Sequence, residues 1–231
     1  MGKTILAKAL DVLYPPKCVF CGKLLTEEES GVCACCQESL PCRREGDSRI
    51  QAGGFPCAVA FYYEEPVRSG VRALKFYKTP SRAAVLGKYI AEAAAMEFPG
   101  GFDAVTYAPV SRLRRMGRGY DQARLLAEAA AESWGTSVKK TLRKKRNNPA
   151  QTSVKSREAR AANVRDVYAV LPDAPIAGRR FLLIDDVCTT GNTMAACAQA
   201  LMDGGAASVV CAALAGGRLP RSGRKSRENL P

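Results

Sequence analysis

The stretch Phe181 to Thr193, FLLIDDVCTTGNT, narrows the folds open to this chain more than any other. An apolar run of strand length ends in two adjacent carboxylates, Asp185 and Asp186. A short Thr/Gly turn then leads into TMAACAQALMDGG (193–205), which has helical spacing and closes on glycines. A buried strand feeding directly into a helix is the unit of a parallel α/β sheet, and in open sheets of that kind ligands bind beyond the carboxyl ends of the strands. Thr189, Thr190, Gly191, Asn192 and Thr193 can turn backbone N–H groups and hydroxyls toward a phosphate, at the positive end of the helix dipole. Gly191 is expected to let that ligand approach without a Cβ in the way.

The turn lacks the Gly-x-x-x-x-Gly-Lys-Ser/Thr of a Walker A loop and the Gly-x-Gly-x-x-Gly of a dinucleotide fold, so ATPase and NAD chemistry lose ground. Paired acids immediately before a phosphate cradle suit hydroxyls or a metal ion close to that phosphate, which describes a ribose 5-phosphate. The alternative is an ordinary strand-turn-helix with acidic caps. It leaves two carboxylates at a buried strand end without partners, which is costly.

The same alternation runs through most of the chain. VAFYY (59–63), FDAVTYAPV (102–110), VYAVL (167–171) and ASVVCAALA (207–215) read as strands. AAVLGKYIAEAAAME (83–97) and QARLLAEAAAESWG (122–135) read as helices, and VRSGVRALKFY (67–77) as a helix interrupted by Gly70. SRLRRMGRGYD and the basic stretch 139–165 read as loops, the second of them mobile. Strands alternating with helices of this length predict an α/β fold with a parallel sheet and helices on both faces. The expected organisation is a small cysteine-rich module over 1–57, a main domain over 58–217 and a basic disordered tail over 218–231.

Charge is concentrated in two places. The chain carries +13 overall; residues 139–165 hold ten Lys or Arg against Glu158 alone, a net +9, and 218–231 add +4. Local basicity favours phosphate-bearing ligands, although solvated loops biased toward Lys and Arg give the same count. There is no histidine, which removes Ser-His-Asp and Cys-His schemes and any zinc site other than thiolate or carboxylate. No uncharged apolar run approaches the roughly 18 residues of a membrane span, and MGKTILAKALDVLYPP does not suit a secretory signal, so a cytoplasmic protein without an integral membrane segment is expected.

In that setting ten cysteines favour metal ligation over disulfides. Cys18-x-x-Cys21 and Cys33-x-x-Cys36 can each present two thiolates to one tetrahedral Zn²⁺ in a zinc ribbon. Cys35 or Cys42 could replace one of the four, and Cys57 could belong to the main domain. Buried thiols and a redox Cys-x-x-Cys pair are the competing readings. Cys188, Cys197 and Cys211 read as packing residues.

IDDVCTTGNT resembles the signature by which type I phosphoribosyltransferases hold 5-phosphoribosyl-1-pyrophosphate (PRPP). From about Leu6 to Gly217 the chain resembles the competence protein F family, with its gluconate-utilisation relatives. LDVLYPPKCVFCG, the LKFY around Lys75, APVSRLRRMGRGYDQA, and Gln151, Arg160 and Asn163 in AQTSVKSREARAANV carry that resemblance. It implies a type I phosphoribosyltransferase-like sheet preceded by the zinc ribbon. Asp185 and Asp186 would meet the ribose hydroxyls, directly or through Mg²⁺, and residues 189–193 would wrap the 5-phosphate. Lys75 joins the implied ligand set. Arg112, Arg114, Arg115 and Arg118 fall where the fold places its pyrophosphate-contacting loop, with Arg118 in a catalytic role. Arg143, Lys144, Gln151 and Arg160 fall in the flexible hood and are candidate pyrophosphate ligands. The family has asparagine in place of Asp121 and a bulky aliphatic in place of Cys188.

Three functions stay open on these residues. One is an Mg²⁺-dependent phosphoribosyltransferase with an unidentified acceptor. A second, which the resemblance implies, is a PRPP-binding accessory factor in DNA uptake and natural transformation, with DNA-uptake proteins as partners. In it the zinc module and basic loop would touch single-stranded DNA and Phe61, Tyr62 or Tyr120 would stack on bases. The third is a scaffold with an idle pocket.

Overall fold

A computed structural model describes residues 15–43, 48–145 and 167–217. In chain order the elements are α1 (Ala34–Glu38), β1 (Arg49–Ala52), β2 (Phe55–Tyr62), α2 (Val67–Phe76), a 3-10 turn (Pro80–Arg82), α3 (Ala83–Glu97), β3 (Ala104–Tyr107), α4 (Arg112–Arg118), α5 (Gln122–Glu132), β4 (Leu142–Lys144), β5 (Tyr168–Val170), β6 (Arg180–Cys188), α6 (Asn192–Asp203) and β7 (Ser208–Gly216). Five strands form one sheet in the order β1-β2-β7-β6-β3. β2, β7, β6 and β3 are parallel, and β1 adds an antiparallel edge.

β6 and β7 are buried over almost their whole length, as continuous apolar runs require when both faces of a sheet are covered. Side chains alternate between the faces. Leu182 and Ile184 pack with Leu214 against Leu86 and Ile90 of α3 and Leu126 of α5. Phe181 and Leu183 face the other way and pack with Cys211 against Met194, Cys197 and Leu201 of α6. The parallel sheet with helices on both faces is therefore present. β4 and β5 form a separate antiparallel pair, with Arg143 opposite Ala169 and Lys144 opposite Tyr168. The first residues of the stretch expected to be a loop are thus held in a ladder.

Two local readings are corrected. SRLRRMGRGYD contains helix α4, capped by Ser111, whose Oγ accepts from Arg114 N, and ended by left-handed Gly119. Its seven residues have no buried face, so apolar periodicity could not reveal it. Gly70 does not interrupt α2. It lies where the cysteine module docks: a Cβ there would sit 2.9 Å from Phe20 Cδ1 and 3.1 Å from the Val19 carbonyl oxygen.

The module shares a core with the main domain. Phe20 is buried, with ring centroids 6.1 Å from Phe61 and 6.2 Å from Tyr89, and the Arg82 guanidinium donates to the carbonyls of Val19 and Phe20. A helical Gly→Ala exchange ordinarily stabilises by about 1 kcal/mol. Gly70→Ala should instead destabilise, because overpacking of this kind costs roughly 1–3 kcal/mol. Thermal unfolding is expected to show a midpoint several degrees lower. A higher midpoint would mean that Phe20 is not pressed against α2.

Candidate functional site

Near the end of β6, whose last residue is Cys188, Asp185 and Asp186 are both buried, at the floor of a cleft of about 430 Å³. Asp185 Oδ1 accepts from the backbone N–H of Asp186 at 2.8 Å. Burial first, then the neighbouring Asp186 carboxylate, push the Asp185 carboxyl well above the ordinary range, against the pull of that N–H and of Lys75. Lys75, from the last turn of α2, brings Nζ to 2.9 Å from Asp186 Oδ2. That contact is an ion pair without hydrogen-bond alignment, so the buried Oδ2 keeps lone-pair capacity for a cation or a hydroxyl.

Arg114 and Arg118 of α4, Lys144 of β4 and Thr193 in the first turn of α6 also line the cleft. Arg118 is aimed by Gln122, whose Oε1 accepts from Nη1 at 2.6 Å, and its guanidinium lies 5.4 Å from the centre of the Phe76 ring. Lys144 stands 5.3 Å over the Tyr168 ring, and burial, then Arg114, lower its pKa. Four cations thus face two acids, which is a surplus of positive charge suited to an anion that also carries hydroxyls.

Of the residues singled out in the sequence, Lys75, Arg118, Lys144, Asp185, Asp186 and Thr193 are brought together here, with Arg114. Thr189 and Thr190 in the turn and Asn192 at the start of α6 are exposed and do not line the cleft; Arg143 is exposed on β4. Gln151 and Arg160 lie outside the described residues. Gly191 has φ 72° and begins α6, but the space a Cβ would need is filled by Ala52, whose Cα would be 2.6 Å away. The edge strand β1 and the left-handed φ by themselves require glycine here.

Asp121 is structural as well. Oδ1 accepts from Arg124 N at 3.3 Å, capping α5, and Oδ2 accepts from Val110 N at 3.1 Å, tying that helix to the chain after β3. Phe61 is buried against Phe20 and Tyr89, and the Tyr120 hydroxyl donates to the Leu74 carbonyl at 2.6 Å. Phe61 offers no free face for stacking, and Tyr120 is half-buried. Tyr62 is covered by Arg43, 4.6 Å from its ring centre. Phe76, Gln122 and Tyr168, which the sequence reading did not single out as ligands, also line the cleft.

In the module, the sulfurs of Cys18, Cys21, Cys33 and Cys36 all lie within 4.8 Å of one another, and Cys21 and Cys33 are 3.7 Å apart. Tetrahedral zinc with Zn–S bonds of ~2.3 Å requires S···S edges of ~3.8 Å, so this cluster fits Zn²⁺ with small adjustments. Burial opposes ionisation of Cys18, but N–H groups of Cys33, Cys21 and Phe20 outweigh it and bring the thiol down to about 7. Cys35 and Cys42 are exposed and outside the cluster. Four thiolates leave no open coordination position, which makes the site a staple rather than a catalyst. Cys57, Cys188, Cys197 and Cys211 are buried in the sheet-side core.

Comparison with known proteins agrees with this anatomy. Residues 122–229 match the family model of the phosphoribosyl transferase domain, and residues 9–50 match that of the double zinc ribbon domain. The chain carries a phosphoribosyl transferase domain behind a double zinc ribbon. It is distantly homologous to the DNA utilization protein YhgH of Salmonella typhimurium, 28% identical over 155 residues, and to that of Escherichia coli K12, 25% identical over 158 residues. Each alignment covers 64% of this chain and 66% of the relative, just under two thirds of its length. Among solved structures, the glutamine PRPP amidotransferase of B. subtilis aligns at a TM-score of 0.44 and 22% identity, over 62% of this chain and 30% of that one. An allosteric regulatory enzyme of purine biosynthesis aligns at 0.42 and 19%, over 62% and 29%. No helix of the described residues is long and apolar enough to cross a membrane.

Proposed function

We propose that the phosphoribosyl transferase domain binds PRPP with Mg²⁺, and that the protein acts in the cytoplasm as an accessory factor in DNA uptake, in contact with single-stranded nucleic acid. The observation that carries the ligand is the buried pair Asp185 and Asp186 on the floor of a cleft ringed by Lys75, Arg114, Arg118 and Lys144. The relatives named for DNA utilization support the cellular role.

In this reading Asp185 and Asp186 accept the ribose hydroxyls or hold Mg²⁺, which supplies positive charge for the diphosphate oxygens when bound. Thr193 and the free N–H groups of the first turn of α6 take the 5-phosphate. Lys75 leaves Asp186 for the diphosphate. The turn residues Thr189, Thr190 and Asn192 close on the phosphate only if the turn reorganises, because they are exposed away from the cleft lining.

A second reading, turnover to an unidentified acceptor, is favoured by Arg114, Arg118 and Lys144 beside the acid pair. Cations placed there neutralise charge that develops on a departing diphosphate. Calorimetric titration with PRPP tests both. Saturable binding that weakens at least tenfold without Mg²⁺ is the expected result, and pyrophosphate release during the titration would move the conclusion to the second reading. Absence of binding with and without Mg²⁺ rules out both.

A further inference from the structure

A second groove, of about 270 Å³, lies between the zinc ribbon and α2. Phe20 and Cys21 of the ribbon form one wall, and Arg72, Tyr77 and Arg82 of the main domain form the other. Its volume is just under the usual range for small-molecule sites, roughly 300–1,000 Å³, which leaves room for one compact unit.

The lining has a definite chemistry. Tyr77 is 67% exposed although aromatic, so most of its ring is available to a ligand. Arg72 is exposed, and its side chain makes no hydrogen bond or ion pair with any described residue. Arg82 keeps the wall in place through its bonds to the Val19 and Phe20 carbonyls. No carboxylate lines the groove. The nearest acid on the same helix start, Glu65, is already engaged by Arg68 at 2.9 Å and Ser69 at 2.6 Å. An open aromatic face beside two guanidiniums, with no opposing acid, suits a planar ring carrying a phosphate.

We infer that this groove binds a nucleotide unit, its base stacked on Tyr77 and its phosphate held by Arg72, with the zinc ribbon as the far wall. The site is separate from the PRPP cleft, which the adjacent residue Phe76 lines. Neither depends on the other being occupied, and the zinc ribbon gains a direct part in recognition. A free nucleotide and one residue of a single strand present the same chemistry to these side chains.

The test uses the intact, zinc-loaded protein with two probes, dTMP and a short fluorescent oligothymidylate. Tyr77→Ala and Arg72→Ala are each expected to weaken binding about tenfold, the first by losing the stacked ring and the second by losing the phosphate contact. Tyr77→Phe should keep wild-type affinity, and PRPP titration should be unchanged in all three variants. Binding of dTMP with the same Tyr77 dependence assigns the groove to a free nucleotide; binding of the oligomer alone assigns it to a strand. Affinities for both probes within twofold of wild type in Tyr77→Ala and Arg72→Ala would overturn the site. So would a parallel loss of zinc content or PRPP affinity, since the two residues would then serve the fold.

Discussion

Cys33→Ser should release the zinc ion and lower the thermal midpoint of the whole protein by about 10 °C or more. The serine removes one of four sulfurs that lie within 4.8 Å of one another, and a structural zinc site contributes folding free energy directly. The damage should not stay local. Cys18, Phe20, Val32, Cys33 and Cys36 belong to the same core cluster as Phe61, Leu86 and Ile90, so a melted ribbon exposes the side of α2 and α3 on which it rests. Losing about 4 kcal/mol from a domain of this size shifts the midpoint by roughly 2–4 °C per kcal/mol. Cys35→Ser and Cys42→Ser, at exposed positions outside the cluster, should leave both zinc content and midpoint within error. Equal zinc loss in Cys35→Ser and Cys33→Ser would show that the four-sulfur cluster is not the ligand set.

What could be read from the sequence was whatever depends on neighbours in the chain. Helix 83–97 was legible to its last residue because its apolar spacing and the Pro99-Gly100-Gly101 stop are local signals. The acid pair was legible because a strand-length apolar run that ends in two carboxylates leaves few folds open. Three features were not. Gly191 looked like a gap for a ligand, and nothing in the sequence signalled that it also makes room for Ala52, a residue 139 positions earlier in the chain. Gly70 looked like a break, yet it admits Phe20. Phe61 looked like a stacking surface on a strand, yet it is buried beneath the ribbon. In each case the deciding contact joins the cysteine-rich segment or the edge strand to the main domain. Sequence pattern says that such pieces exist without saying where they dock.

The acid pair should show opposite effects on stability and on ligand binding. Asp185 has a raised pKa in the fold, so its contribution to stability is greatest below the ordinary carboxylate range and is lost as pH rises through the raised value. Above the ordinary carboxylate range, ionising Asp185 therefore works against the fold. Asp185→Asn removes the ionisable group and keeps an oxygen to accept the Asp186 N–H. Relief of about 1 kcal/mol would raise the ligand-free midpoint by roughly 2–4 °C at pH 7, and the gain should shrink as pH falls and vanish only below the ordinary carboxylate range. Asp186→Asn should not stabilise, because it leaves Lys75 without its carboxylate partner. Both variants should lose PRPP affinity at least a hundredfold, since each removes a carboxylate that can accept hydroxyls or ligate Mg²⁺ at the floor of the cleft. A site that costs stability when empty and is repaid on binding behaves in this way; an idle acidic cap does not. Unchanged PRPP affinity in both variants would take Asp185 and Asp186 out of the binding site, and a lower midpoint for Asp185→Asn would show that its buried charge is compensated in the fold.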